Sequence, residues 1–303
     1  MDSAAIGETA PDHKPTARSA RVGGHIVDEL IAERAPGLTG APFWPLVRPG
    51  LYRLLDYGKA RRMAEAIVDL PGRRTLDYVS DLLELKVEAR GLERVPHAGR
   101  LVVICNHPTG IADGLAVYQA LKRVRDDLIF YANADALRVS ARLDEVIIPV
   151  EWVEAKRTRE RTRRTLVETR AAFQAERAIV VFPAGRIARR EPSGLLTDPA
   201  WMPTALSLAR RHGAPVLPVH VTGPWSTLFH LFNRFSPELR DITLFHELLN
   251  KRGGEFSLTV GRPIATEAFE GDDVGATLAL KHYIERVLPD DADADFNPAP
   301  PGP

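Results

Sequence analysis

One cysteine, Cys105, leaves this 303-residue chain no internal disulfide. That scarcity fits a reduced, cytoplasmic setting. Long apolar runs are missing too: none approaches the roughly 20 residues that a helix needs to cross a bilayer. The chain is therefore expected to be soluble or peripheral to a membrane, not to span it. Its opening segment, MDSAAIGETAPDHKPTARSARVGG, lacks the apolar stretch of a secretory signal. Charge of one sign is absent as well, since 40 basic side chains face 40 acidic ones. Such balance argues against a dedicated nucleic-acid binder. No internal repeat is found, and no second His or Cys stands at metal-ligand spacing from His107.

What is present is enough apolar sequence, 45%, for a large core. Residues 1–22 are small, polar and Pro-containing and read as a disordered tail; residues 290–303, rich in Asp, Ala and Pro, read the same way. Residues 23–90 read as helices with interruptions, such as the Pro36-Gly37 breaker. From 91 to 289 strands and helices alternate. Leu101–Cys105 is continuously apolar, as a strand buried on both faces is. Further strands are expected at 127–131, 146–150, 178–182, 215–219 and 256–260. Helices are expected at 114–124, 156–177, 203–211 and 277–288. The fold class is α/β: a mixed, mostly parallel central sheet flanked by helices, with an N-terminal helical extension.

Chemistry in such sheets gathers at the loops that leave strands. The loop Asn106-His107-Pro108-Thr109-Gly110-Ile111-Ala112-Asp113 follows the apolar strand directly. A His there, with an Asp near the next helix start, suits a general base held in one tautomer by a carboxylate. The same pair also suits a capped turn, because Asp is a common N-cap. Cys105 and His107 point to one side of an extended strand, which permits a thiol nucleophile, although a lone Cys on an apolar strand is more often core. A second loop, Phe182 to Arg190, carries Gly185 with Arg186, Arg189 and Arg190. Its readings are phosphate or carboxylate recognition, or a solvated basic loop.

These blocks resemble the lysophospholipid/glycerolipid acyltransferase superfamily, which includes the 1-acylglycerol-3-phosphate acyltransferases. Asn106-His107 through Asp113-Gly114 is similar to its first motif, Phe182-Pro183-Ala184-Gly185 to its third and Val216-Leu217-Pro218-Val219 to its fourth. The resemblance covers about residues 86–265. Five residues separate His107 from Asp113 where the superfamily usually has four, and Ala184 replaces a usual Glu. Both departures occur in its haemolysin-like subgroup, some of whose relatives acylate lyso-ornithine lipids. The resemblance implies His107 as base and Asp113 as its orienter. It also implies Gly185 and Arg186 as acceptor-binding residues. Asn106, Gly110 and Arg189 are further substrate-binding candidates in the same two loops, and amides near Gly110 or Gly185 are expected to face the oxyanion. The second motif usually supplies a phosphate-binding Arg; here Val146 to Trp152 reads VIIPVEW. The implied reaction is acyl transfer from acyl-CoA or acyl-carrier protein to a lyso-lipid hydroxyl, without cofactor or metal. Thioester hydrolysis, N-acyl transfer and a non-catalytic lipid-binding module are the other readings.

Lipid substrates imply peripheral contact at the cytoplasmic face of a membrane. The expected element is 43–62, where Trp44, Leu51 and Leu55 lie among Arg48, Arg53, Lys59, Arg61 and Arg62. An ordinary helix packed on the domain is the other reading of that segment. The basic stretch Lys156 to Arg164 reads as a solvated helix face or a grip for an acidic carrier.

Overall fold

The apolar run Leu101–Cys105 is β2, and both of its faces are covered, so every residue in it is buried. In the computed structural model, which describes residues 24–151, 158–191, 194 and 196–298, β2 lies at the centre of a seven-stranded sheet. The other strands are β1 (Lys86–Arg90), β3 (Leu128–Asn133), β4 (Ile147–Val150), β5 (Ala178–Val181), β8 (Val216–Thr222) and β9 (Glu255–Val260). Their order is β1-β9-β8-β2-β5-β3-β4. β8 and β9 pair antiparallel, and every other neighbouring pair is parallel. A small antiparallel hairpin, β6 (Arg189–Arg190) with β7 (Leu196–Thr197), stands apart from the sheet.

Helices α1 (Ile26–Arg34), α2 (Pro36–Thr39), α3 (Trp44–Leu54), α4 (Tyr57–Ile67) and α5 (Gly72–Leu83) precede the sheet. They are no separate unit. Leu30 of α1, Met63 of α4 and Leu83 of α5 join one apolar cluster with Leu101, Val103 and Cys105, on one face of β2. Val102 and Ile104 point into the cluster on the opposite face, with Phe173, Leu206 and Ile284. Burying a side chain of this size is worth about 1.5–3 kcal/mol relative to exposure. Residues 86–90, expected to close the helical region, instead form the sheet's edge strand. Their alternation of charged and apolar residues matches the burial of a strand at an edge.

The connection from β2 to β3 is α6 (Ile111–Leu121), whose alanines and leucines are nearly all buried. After it come α7 (Asp135–Val139), α8 (Arg159–Gln174), α9 (Thr204–His212), α10 (Thr227–Phe235), α11 (Pro237–Asp241), α12 (Leu244–Leu249) and α13 (Asp273–His282), which ends in a π-turn over Tyr283–Val287. α8 starts at its Thr158 N-cap; the earlier start expected at Lys156 lies outside the described residues. The expected tail at 1–22 and the residues beyond 298 also lie outside them. Residues 290–298 differ from the disordered tail expected there. Tyr283 donates to the Ala294 carbonyl at 2.7 Å, Arg262 pairs with Asp295 at 2.8 Å, and Phe296 packs against Phe269 and Tyr283.

Candidate active site

At the C-terminal ends of the parallel strands β2 and β5, two loops lock together. The Ala188 N–H, after β5, donates to the His107 carbonyl, after β2, at 2.9 Å. Gly110 has φ +103°, and a Cβ there would stand 3.0 Å from the Ile187 side chain. Both facts require glycine at this point of the turn. The turn starts α6 and brings Asp113 back toward the loop.

Asp113 is fully buried and collects donors. Its Oδ2 accepts from the amides of Thr109 (2.9 Å) and Gly110 (3.0 Å), and its Oδ1 from the Thr109 hydroxyl at 2.5 Å. His107 Nδ1 lies 2.9 Å from Oδ2. Facing a carboxylate, Nδ1–H donates, and the tautomer that this contact selects leaves Nε2 as the acceptor nitrogen of a neutral imidazole. The Phe182 ring packs on the imidazole with centroids 4.6 Å apart. Both His107 and Phe182 line a cavity of about 960 Å3. Asp113 therefore caps the turn and contacts the imidazole at once.

Asp198 was not read from the sequence. It stands 91 positions beyond His107, and both of its oxygens accept the His107 amide, at 3.1 and 3.0 Å. Trp201 Nε1–H donates to it at 2.9 Å, and its own N–H donates to Glu285, which pairs with Lys281 at 2.7 Å. Burial first, and then the negative charge of Glu285, push the Asp198 carboxyl up to about 7. Nothing near residue 198 in the sequence marks it, because the contact is to backbone.

Arg186 and Arg189 line the same cavity as His107, as does Gly185. Both arginines are exposed, and neither guanidinium forms a hydrogen bond or ion pair among the described residues. Asn106 does not join them. Its amide is spent on β8, donating to the Val221 carbonyl at 2.9 Å and accepting from the Val221 N–H at 2.7 Å. It extends the pairing of β2 with β8, and Asn106 is not among the residues that line the His107 cavity. The amides expected at an oxyanion are also engaged: Gly110 N–H on Asp113, and Gly185 N–H on the Phe182 carbonyl at 3.0 Å. Among the described residues the N–H groups of Ile111 and Ala112, in the first turn of α6, make no hydrogen bond, as helix starts leave them. Cys105 is fully buried, and burial pushes its thiol well up. It is a core residue and not a nucleophile.

The expected membrane-contact residues divide. Trp44 is buried edge-to-face against Tyr52, Leu55 lies in the core, and Leu51 is half-buried. Trp44 and Leu55 thus face inward. The same segment exposes others: Phe43 is 52% exposed, Leu46 84% and Leu54 50%. Among the described residues no helix is long and apolar enough to cross a membrane.

A family profile described as Acyltransferase matches residues 86–222. The chain is 27% identical over 219 residues to a lyso-glycine lipid O-acyltransferase of Bacteroides thetaiotaomicron, covering 70% of this chain and 78% of that protein. It is 28% identical over 201 residues to a lyso-glycine lipid O-acyltransferase of Phocaeicola vulgatus, covering 64% and 70%. Among solved structures, a 1-acyl-sn-glycerophosphate acyltransferase of Thermotoga maritima aligns with a TM-score of 0.43 at 17% identity, over 73% of this chain and 80% of that one.

Proposed function

We propose that this chain, which belongs to the lysophospholipid/glycerolipid acyltransferase superfamily and is an acyltransferase of lyso-lipid type, moves a fatty acyl group from a thioester to the hydroxyl of a carboxylate-bearing lyso-lipid, with His107 as general base. The observation that carries the reading is the His107–Asp113 contact at 2.9 Å beside a cavity of about 960 Å3. Nε2 of His107 takes the proton of the acceptor hydroxyl. The oxygen attacks the thioester carbonyl of acyl-CoA or acyl-carrier protein, and a tetrahedral oxyanion forms. The amide of Ile111 at the start of α6, beside the cavity, stabilises that charge. Collapse breaks the C–S bond, and the imidazolium returns its proton to the leaving thiolate. Asp113 holds the tautomer and stabilises the imidazolium in between.

Two features favour a carboxylate head group. Arg186 and Arg189 bring two uncompensated guanidiniums to the cavity wall, and a guanidinium suits a carboxylate in two-point contact. After β4, where the superfamily usually supplies a phosphate-binding Arg, this chain has Glu151, which lines the cavity and pairs with Arg161 at 2.7 Å. Both bacterial relatives are named as lyso-glycine lipid O-acyltransferases, in keeping with an amino-acid head group. The departures at 108–112 and Ala184 fit the haemolysin-like subgroup. Membrane contact is assigned to Phe43, Leu46 and Leu54 with Arg48 and Arg53 around them, a peripheral docking face at the cytoplasmic side.

Lipid profiling of cells lacking the gene tests the reading. Lyso-amino-acid lipid accumulates, wild-type protein clears it and His107→Ala does not. An unchanged lipid profile, or full rescue by His107→Ala, contradicts it.

A further inference from the structure

α12 turns one face to the cavity, through Thr243, Leu244 and Glu247. Glu247 is only 2% exposed. Among the described residues neither of its carboxylate oxygens has a hydrogen bond. Lys251, one turn onward and equally buried, holds its Nζ 3.6 Å from Oε2, an ion pair longer than a hydrogen bond. Burial lowers the Lys251 ammonium pKa from its usual value. A carboxylate removed from water with open lone pairs is costly, and folds rarely keep one without a donor to meet it.

The charge balance of the cavity wall shows what that donor belongs to. Arg34 pairs with Asp135 at 2.6 Å, Arg240 with Asp241 at 2.7 Å and Glu151 with Arg161 at 2.7 Å. Arg186, Arg189 and the open oxygens of Glu247 are what these pairings leave for a ligand. The vacant functions are thus an anion receptor and a hydrogen-bond acceptor. An amino acid joined to a lipid through its nitrogen carries both complements, a carboxylate and an amide N–H one carbon apart. A glycerol phosphate carries no N–H to offer Glu247.

We propose that Glu247 determines acceptor specificity by accepting the amide N–H of an N-linked amino-acid lipid, and so distinguishes it from ester-linked and glycerol-phosphate acceptors. This inference rests on the acyl-transfer reading above. In the bound state Glu247 rotates its carboxylate toward the cavity, and the N–H supplies the donor it lacks. Lys251, with its Nζ 3.6 Å from Oε2, holds the carboxylate in place.

The test uses the full chain and two acceptors that differ in one atom: a 3-hydroxyacyl glycine, and the 3-hydroxyacyl glycolate ester in which oxygen replaces N–H. A hydrogen bond to a charged group is worth about 10- to 100-fold in affinity. Wild type is expected to prefer the amide by about that factor in kcat/KM, chiefly through KM. Glu247→Met brings the ratio toward unity, and Glu247→Gln, which keeps a carbonyl acceptor, restores part of it. Glu247→Met/Lys251→Met serves the same comparison without a lone buried ammonium. Equal use of amide and ester by wild type overturns the inference, and so does a wild-type ratio in a folded Glu247→Met or double variant. Transfer to neither acceptor by wild type overturns the acyl-transfer reading on which it stands.

Discussion

Replacing Asp113 by Asn removes a charge and keeps a shape, and so separates catalysis from capping. Three donors converge on Oδ2, namely Thr109 N–H, Gly110 N–H and His107 Nδ1–H. The amide oxygen of Asn takes that position, and its NH2 faces the Thr109 hydroxyl, which turns to accept. The fold and the His107 tautomer survive. What disappears is the anion beside the imidazolium formed in the transition state. Two unit charges about 4 Å apart near a protein surface interact by about 4 kcal/mol, and the retained amide dipole recovers part of that. A net loss of about 2–4 kcal/mol corresponds to roughly a 30- to 1,000-fold fall in kcat. Asp113→Ala is different in kind. It strands two backbone amides, a hydroxyl and Nδ1 in a buried place, and at about 1–3 kcal/mol for each buried group it destabilises the fold itself. Steady-state kinetics with thermal melts distinguish the two variants. An Asn variant with a wild-type melt and near-wild-type kcat would show that the carboxylate only caps α6, and the reasoning fails.

Other outcomes follow from the same geometry. Arg186→Ala and Arg189→Ala are expected to raise KM for a carboxylate-bearing acceptor about tenfold or more with little change in kcat, as loss of a charge-assisted contact does; unchanged KM in the double variant removes the arginines from acceptor binding. Asp198, pushed up to about 7, holds a proton in the native state that the unfolded chain has released between about pH 4 and 7. Its contribution to stability therefore falls as pH rises through that window. The melting temperature of Asp198→Asn should gain on wild type from pH 5 to pH 8, and parallel profiles would refute the assignment. Leu46→Ser and Leu54→Ser should weaken flotation with anionic liposomes and leave the melt intact, whereas Trp44→Ser lowers the melt because Trp44 is buried; flotation unaffected by the first two substitutions places membrane contact elsewhere.

The fold was legible where burial on two faces writes a continuous apolar run, as at Leu101–Cys105 and Ala178–Val181. It was less legible at Lys86–Arg90, where an edge strand alternates charge with small apolar residues. The placement of His107, Arg186 and Arg189 at one cavity, with Asp113 against His107, was legible because a loop after a buried strand is short and its contacts are local. Asp198 was not, since its contact with the His107 amide spans the fold and no local motif marks it; nor was the burial of Glu247 beside the cavity, which tertiary packing alone decides. Asn106 looked like part of the site and serves the sheet, because a side-chain amide can pair with a strand as a peptide group does. In α3 the mixture of apolar side chains and cations was legible, but the phase of the helix was not. Pro45 and Pro49 blur the helical start, so which of Trp44, Leu46, Leu51 and Leu54 faces inward is settled by packing against Tyr52 and α4.

The central claim is that His107, oriented by Asp113, moves an acyl group onto a lyso-lipid hydroxyl. The most direct measurement is mass spectrometry of acceptor incubated with an acyl thioester and purified protein, wild type or His107→Ala, both shown to melt cooperatively. The account predicts that wild type adds one acyl chain to the hydroxyl and releases an equal amount of free thiol, while His107→Ala does neither. Acyl transfer by folded His107→Ala at a rate near that of wild type would contradict it.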